Sequence, residues 1–416
     1  MAVEKSVTAT GDSFAAGRAF TTTSAGYYLF MTDTDSLSAN EKQTGTSPIF
    51  AVVGGNAVVV TEKTSIPTVT KQVKDDGADN DWKYKADSQM GQTVQYKLTG
   101  TVASNVDTFN TYYYEFHDEL SAGLTVDKST VKAVIGETQI TPTSVTMSDP
   151  DSNGRTVLSV KFDDLKAAAT AAGVTVGEHT RVVVTYSAKL DPNKSQHVVV
   201  GGTGNSNTVK LIYSNNPGHD SRGESVPDTV RDYTYALKLV KKDATDENKI
   251  LKGVKFTIRA TDPDDIASKD MYVQENGSLG TEAYEFTTTD SGEINVKGLD
   301  AGTYTVKETH TLAGYNTIPE FTFTIKAIGF NQAEGEGENK ITVETSTRGS
   351  NLVEVDTTNT DNGTAALIVK NKQGSGLPLT GLNGVTFTWI AGGAVLCIGV
   401  AHLIRSRKQA EESEQE

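Results

Sequence analysis

Few residues of this chain have the type and spacing that catalysis or metal binding requires. Its 416 residues include one cysteine, Cys397, so neither an internal disulfide nor a multi-cysteine metal site can form. The six histidines lack ligand spacing, and no phosphate loop, GxSxG or HExxH motif is present. Residues 149–154 begin like a calcium loop, but its twelfth position is Val160 instead of glutamate. We therefore predict no cofactor, no metal site and no enzymatic turnover.

The C-terminal end carries the most informative motif. Five residues stand directly before a long apolar run: Leu377, Pro378, Leu379, Thr380 and Gly381. The run 382–404 has membrane-spanning length and contains no Asp, Glu, Lys or Arg. Arg405, Arg407 and Lys408 follow at once, which places that end in the cytoplasm. This order predicts one C-terminal transmembrane helix.

Motif, apolar run and basic tail together resemble the cell-wall sorting signal of Gram-positive surface proteins. The resemblance implies that a sortase cleaves between Thr380 and Gly381, holds Thr380 as a thioester and passes it to an amine. Pro378 would keep the substrate segment extended. Residues 1–30 show no basic region followed by an apolar one. Because a wall protein must be exported, we expect the natural start to lie upstream.

Composition and strand patterns indicate the elements that must position such chemistry. The net charge of −15 argues against nucleic acid as the partner. Short β-rich runs separated by turns predict an all-β fold of tandem immunoglobulin-like β-sandwiches, followed by the transmembrane helix. The predicted division is a partial β domain at 1–64, sandwiches at 65–222 and 228–374, and the sorting region at 375–416. One short helix is expected after Asp163 and Asp164, either of which could be its N-cap.

The two sandwich segments resemble known domains. The later one contains LKLVKKDA, LKGVKFTI, GLDAGTYTVKETHTLAGY and LIVKN, and resembles the collagen-adhesin B-type repeat. The earlier one contains PTVTKQV, YYYEFHDELSAGLTV and NTVKLIYSNNP, and resembles the isopeptide-forming domain of fimbrial shaft proteins. With the sorting signal, the chain resembles a sortase-assembled pilin over about residues 65–390.

The resemblance implies that each domain crosslinks itself. A lysine on the first strand condenses with an asparagine on the last strand, and ammonia leaves. The amine must be neutral to attack, which burial favours. A carboxylic acid kept protonated by apolar surroundings can polarise the amide and transfer protons.

In the later segment the resemblance selects Lys238, Glu308 and Asn371. Lys241 and Lys242 compete for the first role. Strand alternation from the neighbouring leucines places Lys238 on the solvent face, so periodicity does not select it. The family pattern does, because it places the lysine five residues before an aspartate (243 − 238 = 5).

In the earlier segment the matching residues are Lys71, Asp118 and Asn207. Lys74 and Asn205 are the alternatives. Asn207 is preferred because it begins the NTVKL strand, as the family pattern requires.

Pilus assembly also needs an acceptor lysine on the next subunit. The matching place reads VVVTEK, which gives Lys63. Thr61 and Glu62 replace the tyrosine and proline of the family motif, so an exposed linker lysine is the alternative.

The resulting hypothesis is a structural pilus subunit that a sortase polymerises and anchors to the peptidoglycan cross-bridge. Its partners would be sortase, other pilin subunits and a host or extracellular-matrix ligand. It would reside in the cell-wall pilus, held by the membrane before cleavage. The alternative is a monomeric wall-anchored adhesin that uses the same domains as a stalk. In both cases isopeptide formation is a single self-modification.

Overall fold

The computed structural model describes residues 24–30, 49–55, 58–59, 66–74, 81–215, 217, 220–263, 265–328, 340–346, 351–357 and 363–374. Within these ranges the chain consists mostly of β-strands in five sheets, which confirms the expected β-sheet architecture for the described residues. The first sheet is an antiparallel pair, β1 (Gly26–Phe30) with β2 (Ile49–Val53). The remaining four sheets form two units, each with its own hydrophobic core.

The first unit has thirteen described strands. They are β3 (Val69–Lys74), β4 (Trp82–Lys83), β5 (Lys85–Asp87), β6 (Val94–Thr101), β7 (Tyr114–Leu120), β8 (Leu124–Ile135), β9 (Thr138–Ile140), β10 (Ser144–Met147), β11 (Thr156–Phe162), β12 (Arg181–Leu190), β13 (Asn205–Ser214), β14 (Arg222–Glu224) and β15 (Asp228–Tyr233). Sheet A has the order β4-β3-β6-β12-β8-β9. Sheet B has the order β10-β11-β7-β13-β15-β5, with β14 paired to β13.

Strict alternation of side chains builds the core between sheets A and B. On β12 the buried positions begin Val182, Val184 and Tyr186, and on β13 every second residue is buried in the same way. Because successive side chains of a strand point to opposite faces, each strand contributes one apolar row to the interior.

The helix of the first unit is α1 (Leu165–Ala171). The carboxylate of Asp164 accepts a hydrogen bond from the backbone N–H of Lys166 at 3.0 Å. This bond satisfies a helix-terminal donor, and it confirms the predicted aspartate N-cap. Short 3-10 turns lie at Val106–Thr108 and Pro192–His197.

The second unit has eleven described strands. They are β16 (Tyr235–Asp243), β17 (Lys255–Pro263), β18 (Tyr272–Val273), β19 (Leu279–Gly280), β20 (Phe286–Thr287), β21 (Glu293–Leu299), β22 (Gly302–His310), β23 (Phe321–Ile328), β24 (Lys340–Ser346), β25 (Val353–Val355) and β26 (Thr364–Asn371). Sheet C has the order β21-β16-β26-β25. Sheet D has the order β19-β18-β17-β22-β23-β24, with β20 paired to β17. A 3-10 turn lies at Ile266–Ser268.

The boundary between the units lies after β15. This strand pairs with β13, where Asp232 is opposite Asn205, and it pairs in parallel with β5. The stretch 228–233, which the sequence analysis assigns to the later domain, is therefore part of sheet B. Its inward residues, Val230 and Asp232, are fully buried there.

No helix within the described ranges is long and apolar enough to cross a membrane. The apolar run 382–404, the sorting motif at 377–381 and Lys63 lie outside the described residues. Their predicted roles stay predictions.

Candidate functional site: two buried lysine–carboxyl–asparagine clusters

The first unit places a lysine on the core face of a strand. Lys71 lies on β3 between the inward-facing Val69 and Val73, and its side chain is fully buried. Lysine is rarely buried unless a partner compensates its charge. The position of Lys71 in the strand period therefore requires a polar partner inside the core.

That partner comes from the facing sheet. Asp118 on β7 is inward-facing, like Phe116 and Leu120 on either side of it. Lys71 Nζ donates to Asp118 Oδ1 at 2.5 Å and to Oδ2 at 2.6 Å. Neither side chain reaches solvent. Lys71 and Asp118 therefore form an ion pair that joins sheet A to sheet B.

Asn207 completes this group. It lies on β13, which pairs with β7. Asp118 on β7 is opposite Val209, which is two residues after Asn207 on β13. Asn207 Nδ2 donates to the hydroxyl of Tyr186 at 2.6 Å. Asn207 Oδ1 is buried and has no hydrogen-bond partner among the described residues. The sequence-predicted residues Lys71, Asp118 and Asn207 are thus brought together, although from positions far apart in the chain.

Tyr186 connects all three residues. Its hydroxyl accepts from Lys71 Nζ at 3.0 Å and donates to Asp118 Oδ2 at 2.6 Å, besides accepting from Asn207. None of the sequence motifs selected this tyrosine. Its inward position on β12 follows from alternation, but its meeting with Lys71 and Asp118 depends on how the two sheets pack.

Burial dominates the electrostatics of the lysine. Desolvation lowers the pKa of Lys71 from 10.5 to about 8, against the opposing attraction of the Asp118 carboxylate. The rings of Tyr96 and Tyr186 stack 5.3 Å apart, with Lys71 Nζ 5.5 Å and 5.4 Å from their centroids. A lowered pKa makes transfer of a proton from the amine to the neighbouring carboxylate less costly.

The second unit contains a cluster of the same composition. Lys241 on β16 is fully buried, and its Nζ hydrogen-bonds Asn371 Oδ1 and donates to Glu308 Oε2, the latter at 3.2 Å. Asn371 Nδ2 donates to Glu308 Oε1 at 2.8 Å and to Thr311 Oγ1 at 2.8 Å. Glu308 comes from β22 in sheet D, whereas Lys241 and Asn371 come from adjacent strands of sheet C.

Burial also dominates here. It lowers the pKa of Lys241 to about 8, with Glu308 opposing that shift. The ring of Phe256 lies 5.3 Å from Lys241 Nζ. Unlike Tyr186 in the first unit, this ring carries no hydroxyl that could contact the cluster.

Lys238 does not join this cluster, and the structure places Lys241 there instead. Lys238 is out of phase with the buried Leu237 and Leu239, so it points away from the core. Its side chain is 39% exposed and pairs with Glu293 at 3.0 Å. The alternation of side chains along β16 therefore places Lys241 in the core and Lys238 outside it, although the five-residue spacing of the family pattern had selected Lys238.

The other alternative residues lie outside both clusters. Lys242 and Lys74 point outward from their strands, and Lys74 lies 5.9 Å from the ring of Trp82. Asn205 is buried, but backbone groups occupy its amide. It accepts from Val199 N at 2.9 Å and donates to Val199 O and Asp232 O.

Each cluster combines the groups that an acyl transfer from amide to amine requires. An amine is the nucleophile, an asparagine amide is the electrophile, and a carboxyl group in contact with the amine can move protons. The carboxyl group contacts the amide directly in the second unit, and through the Tyr186 hydroxyl in the first. In the part of the chain that the structure describes, no group of three His, Cys, Asp or Glu side chains could hold a metal ion.

Comparison with known proteins finds a family model that is similar to part of the second unit. Residues 236–340 match the SpaA prealbumin-like fold domain. This prealbumin-like segment lies within the region for which the sequence indicates a collagen-adhesin B-type domain. It contains Lys241 and Glu308, whereas Asn371 lies beyond its end. No curated protein sequence matches the chain.

Several solved structures are similar to a large part of the chain. One is the T6 backbone pilin of serotype M6 Streptococcus pyogenes, at 17% identity, 84% coverage of this chain, 81% of that chain and a TM-score of 0.49. Another is the C-terminal fragment of the major pilin GBS80 of Streptococcus agalactiae, at 19% identity, with 74% of this chain and 99% of that chain covered and a TM-score of 0.48. A third is the full-length major pilin SpaD from Corynebacterium diphtheriae, at 20% identity, with 74% of this chain and 65% of that chain covered and a TM-score of 0.45.

Proposed function

We propose that this chain is a structural subunit of a pilus, built of tandem immunoglobulin-like sandwiches that crosslink themselves. The observation that carries the proposal is that the same combination of three side chains occurs in two successive units. Each unit buries a lysine that contacts a carboxyl group, with an asparagine in the same cluster. Asn371 contacts both of its partners directly, whereas Asn207 is linked to its partners through the hydroxyl of Tyr186. A buried lysine is costly to keep in a core merely for packing, and its recurrence beside a carboxyl group, with an asparagine in the same cluster, supports a shared reaction.

The proposed reaction is an amide exchange that conserves all atoms. The neutral amine of Lys71 or Lys241 attacks Cγ of its asparagine, a new C–N bond forms, and the bond to Nδ2 breaks. The amine loses one proton, and Nδ2 gains one and leaves as ammonia. Asp118 or Glu308 takes part in both transfers and ends in its starting state. The bond forms once per domain, so the protein is a self-modifying substrate instead of an enzyme.

The bonds would close large loops. The spans are 207 − 71 = 136 residues in the first unit and 130 in the second. If such a crosslink restricts the unfolded chain as a disulfide does, each would stabilise its unit by about 5 kcal/mol. A subunit whose crosslinks join early to late strands would transmit tension without unfolding, as a pilus shaft requires.

Intact-mass measurement tests the crosslinking. We expect the mature chain to be lighter than its sequence mass by two ammonia molecules, and a tryptic digest to contain the linked pairs 71–207 and 241–371. In Lys241→Met the measured mass should fall short of the sequence mass by only one ammonia, whereas in the matched variant Lys238→Met the deficit should stay at two. A chain with its full sequence mass would contradict the proposal.

The sorting region supplies the second part of the proposal. A sortase would cleave after Thr380, with the span 382–404 as a transmembrane helix that holds the substrate at the membrane. The acyl group would pass to the peptidoglycan cross-bridge or to Lys63 of the next subunit. The domain division 1–64, 65–222, 228–374 and 375–416 also belongs to this proposal. Its third domain would begin after β15, because that strand is part of sheet B.

Immunoblots of wall extracts under denaturing conditions separate polymer from monomer. We expect a ladder of linked subunits, which Lys63→Arg should collapse to one band and Lys74→Arg should leave intact. A ladder that survives Lys63→Arg would assign the acceptor role to another lysine. One band from the unaltered chain would favour the monomeric adhesin, which uses the same units as a stalk to present a surface for a host ligand.

A further inference from the structure

The two clusters differ in what contacts the leaving nitrogen. In the second unit, Glu308 Oε1 is 2.8 Å from Asn371 Nδ2, so the carboxyl group reaches the nitrogen directly. In the first unit, the described contact of Asn207 Nδ2 is with the Tyr186 hydroxyl at 2.6 Å. Asp118 touches the other side of that hydroxyl, also at 2.6 Å. Tyr186 thus stands between the acid and the atom that must be protonated.

We propose that Tyr186 is a catalytic proton relay of the first unit, carrying a proton from Asp118 to the leaving amide nitrogen of Asn207. This inference rests on the proposed crosslinking reaction and assigns it a further catalytic residue. The second unit needs no such relay, because its carboxyl group already contacts the nitrogen.

The relay balances protons as follows. Lys71 gives one proton to Asp118 as its nitrogen bonds to Cγ of Asn207. Asp118 then gives a proton to the Tyr186 oxygen while that oxygen gives its own proton to Nδ2. The Cγ–Nδ2 bond breaks and ammonia leaves, so Asp118 and Tyr186 return to their starting states.

The surroundings of Tyr186 suit a relay that never holds a full charge. Its side chain is almost fully buried, and burial together with the Asp118 carboxylate raises the pKa of the phenol well above 10. A phenolate is therefore disfavoured, which leaves simultaneous acceptance and donation as the available route. The stacked ring of Tyr96 fixes the plane of the phenol at an interplanar angle of 13°.

Tyr96 also supplies a matched control. Its ring lies beside the same lysine, and its buried hydroxyl makes no hydrogen bond to any residue that the structure describes. Tyr96→Phe and Tyr186→Phe therefore remove the same atom from neighbouring rings, but only the second removes the proposed proton path.

The experiment follows both crosslinks in freshly synthesised full-length chains. Samples taken over time are digested, and the linked peptides 71–207 and 241–371 are quantified by mass spectrometry. We expect Tyr186→Phe to slow formation of the 71–207 bond by about 100-fold or more, the usual effect of a general acid. The 241–371 bond in the same molecules, and both bonds in Tyr96→Phe, should form at the unaltered rate.

A second variant keeps the test independent of folding. Replacing Tyr186 with a tyrosine fluorinated beside its hydroxyl keeps the ring and hydroxyl but makes the phenol a stronger acid, so we expect the 71–207 bond to form faster. An unchanged rate in either the fluorinated or the Phe variant would overturn the relay while leaving the crosslinking intact. Absence of the 71–207 bond in the unaltered chain would instead refute the proposed function.

Discussion

At the scale of single residues, the molecule buries the amines of two lysines completely. Lys71 and Lys241 have no exposed side-chain surface, and burial lowers the pKa of each to about 8. An uncrosslinked lysine at either place costs stability whenever it is charged. Conversion to a neutral amide would remove that cost permanently, so the core would gain from the reaction that it promotes.

The pH dependence of stability tests this cost in a variant that cannot crosslink. In Asn207→Ala, Lys71 keeps its amine, with a pKa near 10.5 unfolded and about 8 folded. Between these pH values the unfolded chain binds more protons, so stability should rise with pH from 8 to 10.5 and stay at its lower level below pH 8. The difference of about 2.5 between the two pKa values corresponds to about 3 kcal/mol.

Urea unfolding followed by the fluorescence of Trp82 measures this profile. The double variant Lys71→Met/Asn207→Ala is the control, because it lacks the amine and retains the other titrating groups of the unit. The predicted rise should vanish in it. A rise of equal size in both variants would show that groups other than Lys71 cause the effect.

At the scale of strands, the two clusters bridge different elements. Lys71 on β3 and Asn207 on β13 belong to facing sheets, so their bond would cross the core. Lys241 on β16 and Asn371 on β26 belong to parallel neighbours of one sheet. Tension applied to the first and last strands of the second unit would shear this pair, and a covalent bond between them would prevent it.

Single-molecule pulling tests the role of β16 and β26. With the 241–371 bond formed, the loop between these residues, which are 130 positions apart, cannot extend. Asn371→Ala should therefore add about 450 Å of extension on unfolding of the second unit. Asn295→Ala, on the exposed face of the neighbouring β21, should add none. Full extension of the unaltered chain would contradict a bond between these strands.

At the scale of the whole molecule, a short segment of the first unit docks on the second. Gln89 donates to Gly277 O at 2.5 Å and accepts from the Tyr304 hydroxyl at 3.0 Å. Met90 N donates to Gly298 O at 2.8 Å. Gly298 has a φ of +91°, and a Cβ there would lie 2.6 Å from Met90 Cβ, so this contact requires glycine. The two units are thus coupled by buried polar contacts.

Removing the Gln89 amide should loosen this junction. Gln89→Ala removes the amide that donates to the buried Gly277 carbonyl, at a cost of about 1–3 kcal/mol. We expect the two unfolding transitions to separate in calorimetry and the radius of gyration to increase in X-ray scattering. Gln95→Ala, on an exposed position of β6, is the matched control. Equal behaviour of the two variants would show that Gln89 does not couple the units.

The sequence by itself determined much of this arrangement. Alternating strand patterns indicated the β architecture, and Asp164 was one of two adjacent aspartates offered as the helix cap. Short motifs selected five of the six residues that meet in the clusters, namely Lys71, Asp118, Asn207, Glu308 and Asn371. The structure places these five residues at buried positions of their strands, and their roles in crosslinking stay predictions.

Tertiary structure decided the remainder. The family spacing pointed to Lys238, but the pleat of β16 turns that residue outward and Lys241 inward. Tyr186 and Thr311 enter the clusters only because separate strands pack against one another. The pairing of β15 with strands of the first unit, and the contacts of Gln89 with the second unit, likewise join residues that are far apart in the sequence. A sequence pattern fixes which face of a strand a residue occupies, but the packing of sheets fixes which distant atoms it touches.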